Sequence, residues 1–318
     1  MKNLWSETES AQFKGDLALR VYTSRLLGQD TSLVLHGGGN TSVKITETNL
    51  INTQEEILYV KGSGWDLEFI EKKGFSPVRM DHMLKLSKLD SLSDPQMVNE
   101  LKTQLTNASS PAPSVETILH AILPFKYVDH THADAVVTIT NTSDGEGRIK
   151  EIYGNRVVII PYVMPGFDLA KDVARIFSEQ YSEVTEGMIL MNHGVFSFGS
   201  NAKESYDRMI SLVNDAENYL ISKNAWKIKY QAPISEKKKI FLQVSQLRRE
   251  VSEVFGSPIL LNLTNSELGM SFSNKSDVNT ISTRGPLTPD HVIRTKRIPM
   301  IGRNVLKYKE EYISYFTN

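Results

Sequence analysis

Apolar residues at Phe13, Leu17, Leu19, Val21, Tyr22, Leu26 and Leu27 recur at roughly helical spacing, and Gly28 follows as a stop signal, so the pattern predicts a helix over 9–27. Short alternating or apolar runs bounded by polar or glycine-rich segments predict strands over 32–35, 41–45 and 57–61. Helical patterns over 81–89, 94–105 and 114–123 then alternate with strand-like runs over 127–132, 135–140 and 157–160. Helices are expected over 168–181 and 202–223, on either side of a strand-like run over 188–198 that Asn192-His193-Gly194 interrupts. Further on the pattern gives a helix over 237–254, a strand over 259–263 and a loop-rich stretch ending in a short helix over 308–316. No repeat of fixed period is visible, and the mixture of elements is of the α/β class. A first domain over 1–225 and a C-terminal extension over 226–318, packing on it, are the expected organisation.

Length and composition change this picture little: 318 residues, 40% of them hydrophobic and 23% charged, allow a large core plus an extension. Charge removes one class of partner. Thirty-six basic residues against thirty-seven acidic ones leave a formal net charge of −1, which gives no electrostatic footprint for nucleic acid. Lys223, Lys227, Lys229, Lys237, Lys238 and Lys239 form a locally basic stretch that reads as a solvated connection. No apolar run is long enough to cross a membrane and no hydrophobic leader opens the chain, so a cytoplasmic location is the expectation. Cysteine is absent, which excludes disulfides, thiolate nucleophiles and thiolate-bound metal. Any metal is therefore held by His, Asp or Glu.

His130-Thr131-His132 is the strongest local signal, because residues i and i+2 of a strand share a face and two imidazoles so placed can share one ion. Taken alone, the pair is more often explained by surface or otherwise satisfied histidines. His193, beside Gly194, is a third candidate; three imidazoles leave a fourth position open on a zinc ion, as a catalytic site requires. Glu116 opens a predicted helix, with His120 one turn later on the same face. Its place in the first turn also suits a purely structural role as a cap or a partner of the helix dipole. Two glycine-rich loops, His36-Gly37-Gly38-Gly39-Asn40-Thr41-Ser42 and Lys61-Gly62-Ser63-Gly64, follow apparent strands and can turn backbone N–H groups toward an anion. Neither fits a P-loop or a dinucleotide fingerprint.

Taken in order, His-Gly-Gly-Gly-Asn-Thr-Ser at 36–42, Lys-Gly-Ser-Gly at 61–64, Pro-Ser-Val-Glu at 113–116, His-Thr-His-Ala-Asp at 130–134 and Asn-His-Gly at 192–194 resemble the class II aldolase/adducin family. Segments 60–67, 161–169 and 284–296 look like the aldolase portion of bifunctional rhamnulose-phosphate aldolase/alcohol dehydrogenases. No dinucleotide fingerprint follows a strand here, so hydride transfer is not assigned to this chain, which would be a truncated, split or stand-alone relative.

What the resemblance implies is a three-layer α/β/α sandwich around a mainly antiparallel sheet, assembled as a homotetramer. His130, His132 and His193 would bind Zn2+, although imidazoles also accept cobalt, nickel or iron. Glu116 would be the acid/base, expected with a raised pKa, and Asn40, Thr41, Lys61, Ser63, Gly64 and Ser114 would hold the phosphate of a sugar-phosphate substrate. Val115 stands where relatives often carry a second Ser, which removes one hydroxyl donor. The implied reaction is aldol cleavage or formation in a phosphorylated ketose, rhamnulose 1-phosphate-like, through a metal-stabilised enediolate. Epimerisation or dehydration by the same chemistry, and a non-catalytic adducin-like interaction module, are the alternatives. A second acid, commonly tyrosine, is not identified among the twelve tyrosines. Asp290, His291, Arg294 and Lys296 are candidates to close over an anionic substrate.

Overall fold

The structure is a computed structural model that describes residues 1–226, 240–264 and 266–317. Seven strands form one sheet: β1 Asn40–Thr48, β2 Gln54–Lys61, β3 Phe75–Arg79, β4 Tyr127–Thr131, β5 Val157–Ile160, β6 Gly187–Leu190 and β7 Gly194–Gly199. Their order is β3-β2-β1-β4-β7-β6-β5, and every neighbouring pair is antiparallel except β5 with β6. This is the mainly antiparallel α/β/α architecture that the motifs imply.

Strand alternation sorts side chains into two cores. Leu58, Val60, Val128, Val158, Ile160, Met188, Leu190, Phe196 and Phe198 project to one face. There they pack against the helices Met80–Leu86, Asp94–Thr103, Thr117–Ile122 and Phe167–Gln180. The opposite face carries Val157, Ile189 and Val195 under the helices Asp16–Gly28, Asp134–Thr140, Gly145–Tyr153 and Ala202–Ser222. The result is three layers, with both faces of the sheet sealed.

The helix expected over 9–27 begins instead at Asp16, because Gly15 takes φ +85°, a left-handed backbone that glycine adopts without strain. Residues 32–35 form the end of a turn and an irregular stretch rather than a strand. The β-branched run expected as a strand over 135–140 is the buried helix Asp134–Thr140; tertiary burial on two sides overrides the β preference of Val, Ile and Thr. The interrupted run over 188–198 becomes a hairpin of β6 and β7. Its tight turn uses Asn192 at φ +59°, a conformation asparagine tolerates, and the Asn192 amide donates to the carbonyl of Thr140 at 3.2 Å. His193 thereby sits at the hairpin tip.

Two compact units are present: Met1–Asn224 with Leu287–Ile293, and Ala225–Pro286 with Arg294–Asn318. Leu287–Ile293, a seven-residue segment within the expected extension over 226–318, belongs to the first unit. In the second unit, the helix Phe241–Phe255 packs on Val305–Thr317, and residues 259–263 carry no regular structure where a strand was expected. Lys227, Lys229, Lys237, Lys238 and Lys239 of the basic stretch, and the start of the helix expected over 237–254, lie outside the described residues. No helix among the described residues is long and apolar enough to cross a membrane.

Candidate metal centre

His130 is the penultimate residue of β4 and His132 follows the strand by one residue, so both imidazoles project to the face that also carries Val128. The antiparallel neighbour β7 brings the hairpin tip, and with it His193, alongside. His130, His132 and His193 are all buried and their ligand atoms lie within 4.8 Å of one another. The ring of His130 stacks on Phe196, centroids 4.1 Å apart, which fixes its plane.

Proton bookkeeping at these rings decides what the cluster can hold. The Nδ1 atom of His130 lies 3.1 Å from the carbonyl oxygen of Val195, which can only accept, so Nδ1 carries the ring proton. Nδ1 of His132 lies 2.6 Å from a carboxylate oxygen of Asp290, again an acceptor, so it is protonated too. Burial pushes the His130 imidazole well below its ordinary pKa and lowers that of His193, which keeps these rings neutral at neutral pH. The Nε2 atoms of His130 and His132 face each other at 3.0 Å, and both rings have their Nδ1 atoms engaged elsewhere. A shared cation resolves that contact: two nitrogens on one tetrahedral zinc ion are about 3.3 Å apart, given a zinc–nitrogen bond of about 2.0–2.1 Å.

Glu116 completes the cluster. It sits immediately before the helix Thr117–Ile122, 6% exposed, with Oε2 3.6 Å from Nε2 of His130 and Oε1 3.7 Å from Nε2 of His193. Oε1 is buried without a hydrogen-bond partner, an orphan aimed at the same centre. The donor set of three imidazoles and a carboxylate therefore fits a divalent ion. Burial works against the charge on Glu116, yet the positive charge that the imidazoles of His130 and His193 take on in acid and the hydrogen bond from the Asn40 amide hold its pKa down at about 2. The expected raised pKa is corrected accordingly: at neutral pH this carboxyl is ionised, poised to accept a proton.

Behind Glu116 runs a chain of hydrogen bonds that residue spacing alone did not reveal. Asn40 Nδ2 donates to Glu116 Oε2 at 2.6 Å and to Ser114 Oγ at 3.2 Å. The Asn40 Oδ1 atom accepts from His120 Nε2, and His120 Nδ1 accepts from Ser42 Oγ at 2.8 Å. Burial lowers the His120 pKa to about 3, so the ring stays neutral and acts as a fixed spacer. His120 thus reaches Glu116 through Asn40.

The other candidates are placed unevenly. Ser63 and Gly62 lie beside Ser114: the Ser63 amide donates to Ala112 O at 2.8 Å, and Gly62 bridges to Pro113. Gly64 adopts φ +86°, Lys61 donates to Gly37 O at 2.7 Å, and these two glycine loops adjoin. Thr41 differs. It pairs with Asp129 on the opposite face of the sheet, its hydroxyl 2.8 Å from Ser24 Oγ, so that hydroxyl faces away from the imidazoles. Asp290 does not wait on the surface to meet a substrate; it is buried against His132. His291 Nδ1 pairs with Thr288 Oγ1 at 2.7 Å, whereas Arg294 and Lys296 belong to the second compact unit.

Gly194 makes the close approach of the hairpin possible. A Cβ there would overlap the Thr131 carbonyl oxygen and come 3.0 Å from Cε1 of His130 and 3.2 Å from Cδ2 of His132. Gly194→Ala is expected to cost about 1–3 kcal/mol of stability and to weaken metal binding by displacing the rings. Thermal denaturation and metal stoichiometry check this, and a variant equal to the parent in both would refute it.

The family model for the class II aldolase and adducin N-terminal domain matches residues 18–220, and that for the aldolase class II second domain matches 239–318. The solved N-terminal class II aldolase domain of a conserved protein from Thermoplasma acidophilum is 46% identical, with a TM-score of 0.64, and the match covers 69% of this chain and 99% of that one. A curated protein of Bacillus subtilis (strain 168), described as the uncharacterized oxidoreductase YuxG, is 32% identical over 342 residues, covering 100% of this chain and 49% of that protein. The chain spans about half the length of that curated relative. With its fold, its ordered motifs and its match over most of the first unit, the chain belongs to the class II aldolase and adducin family.

Proposed function

We propose that this chain is a zinc-dependent aldolase acting on a phosphorylated ketose. The observation that carries the reading is the group of three buried imidazoles, with ligand atoms within 4.8 Å of one another, beside an ionised, buried Glu116. His130, His132 and His193 would hold the ion, which when bound supplies Lewis acidity to the carbonyl and neighbouring hydroxyl oxygens of the sugar. Glu116 takes the proton from the carbon next to the carbonyl in the direction of bond formation and returns it in cleavage. Asn40 orients that carboxylate, with His120 and Ser42 locking the Asn40 amide in turn. Ser114, Ser63, Gly64 and Lys61 form the phosphate end of the pocket; the backbone of Asn40 and Thr41 borders it, and the Thr41 hydroxyl takes no part.

An aldol-cleavage screen with rhamnulose 1-phosphate, fuculose 1-phosphate and ribulose 5-phosphate tests the reading. Release of dihydroxyacetone phosphate from one of the first two, lost at least about a hundredfold on chelation and restored by zinc, is the expected result. Conversion of ribulose 5-phosphate to its epimer without carbon–carbon cleavage would replace aldolase by epimerase. Full turnover after exhaustive removal of metal would end the proposal.

A further inference from the structure

Asp290 reaches the metal centre from far along the chain, 158 residues beyond His132. It lies in Pro289–Val292, a single helical turn capped by Thr288, whose side chain accepts from the His291 amide. The segment Leu287–Ile293 belongs to the first compact unit, while the residues before and after it belong to the second. A buried carboxylate held this way needs partners for both oxygens. Oδ1 accepts from His132 Nδ1 at 2.6 Å, and Oδ2 from the main-chain N–H of Leu35 at 2.9 Å. Gly38 leaves the room: a Cβ on it would occupy the space of Oδ1.

The two strand imidazoles are thus anchored differently. His130 gives its Nδ1–H to a carbonyl of the adjacent strand, a partner the sheet supplies automatically. His132 stands one residue past the strand end, and the acceptor for its Nδ1–H is imported. We propose that Asp290 is a positioning residue of the metal centre. By holding the Nδ1–H of His132 it fixes the tautomer and ring orientation that turn Nε2 toward the ion, and its charge makes that nitrogen a stronger donor. Residues 239–318, which match the second-domain family model, therefore supply one outer partner of a metal ligand in the first. The first glycine-rich loop gains a second task, since Gly38 lacks the side chain that would exclude this carboxylate, and Leu35, just before the loop, donates its amide to it. The inference rests on the metal-centre reading given above.

Full-length Asp290→Ala and Asp290→Asn are compared with the parent by titrating zinc against a chromophoric chelator and by recording the visible spectrum of the cobalt-loaded proteins. Circular dichroism and metal-free melting show that each variant is folded. Asp290→Ala is expected to hold zinc about 10–100-fold more weakly, with an altered cobalt spectrum. Asp290→Asn, which keeps the volume and one neutral acceptor, should recover part of the loss. Gly38→Ala, which intrudes on the carboxylate from the other side, should weaken zinc in the same direction. A purely structural Asp290 would lower the melting temperature and leave affinity and spectrum at parental values, and that result in a folded variant overturns the proposal. A parent protein with no zinc affinity would instead sink the metal-centre reading itself.

Discussion

Glu116→Gln is expected to leave the fold and the bound ion in place while reducing turnover by about 10²–10⁴-fold, the usual worth of a positioned proton-transfer group. Gln occupies the same volume, and its carbonyl oxygen can still accept from Asn40, so the chain from Ser42 through His120 stays engaged. Three imidazoles remain to hold the ion, a complete protein ligand set for a catalytic zinc. What is lost is the ability to take up a proton at a group that is ionised at neutral pH, its pKa being about 2. Because the depressed pKa means that the site favours the charged form over the neutral one, the melting temperature should hold or fall slightly. Steady-state rates at saturating zinc, read with metal content and melting temperature, check this. A variant retaining a tenth of parental activity would remove Glu116 from the chemistry.

On the opposite face of the sheet, Arg20→Met is expected to destabilise the first unit by about 3–5 kcal/mol, because it strands a charge in the interior. Arg20 and Asp129 are an ion pair whose side chains are both 0% exposed. The guanidinium also points to the carbonyls of Ser42 and Val128 and lies 5.7 Å from the Tyr127 ring centroid, while Ser205 donates to the other Asp129 oxygen. The double variant Arg20→Met with Asp129→Leu removes both charges and should recover most of the loss, since neither is then left without its counter-charge. Chemical denaturation of the full chain, following the transition of the first unit, distinguishes the outcomes. A single variant as stable as the parent would show that the pair contributes nothing net.

The histidine cluster was legible because its signals are local: an i, i+2 pair of histidines, and a histidine beside a glycine in a broken apolar run. Most helices and central strands were legible for the same reason, their apolar periodicity surviving in the amino-acid order. What escaped depended on context. The strand β3 carries Pro77, which argues against a strand except at a sheet edge, and the edge is where β3 lies. The helix Gly145–Tyr153 hides behind Gly145 and Gly147, both poor helix formers. The helix Asp134–Thr140 reads as a strand until its burial is known. The pKa of Glu116 was misjudged because burial was visible as a tendency while the facing imidazoles and Asn40 were not. Asp290 reads from the sequence as a charge that could close over an anionic substrate or sit on a surface loop; its carboxyl finds His132 through a fold-level return that spacing does not encode.

Along β4, Asp129 and His130 are consecutive residues committed to incompatible surroundings, the first to a guanidinium and the second to the imidazole cluster. A slip of this strand by a single position against β1 or β7 would exchange them, setting a carboxylate where Nε2 belongs and an imidazole against Arg20. Each misplacement is penalised by unpaired buried polarity, so the chemistry of the two faces acts as a key cut on both edges, rejecting mispaired sheets during folding as firmly as it serves the finished molecule.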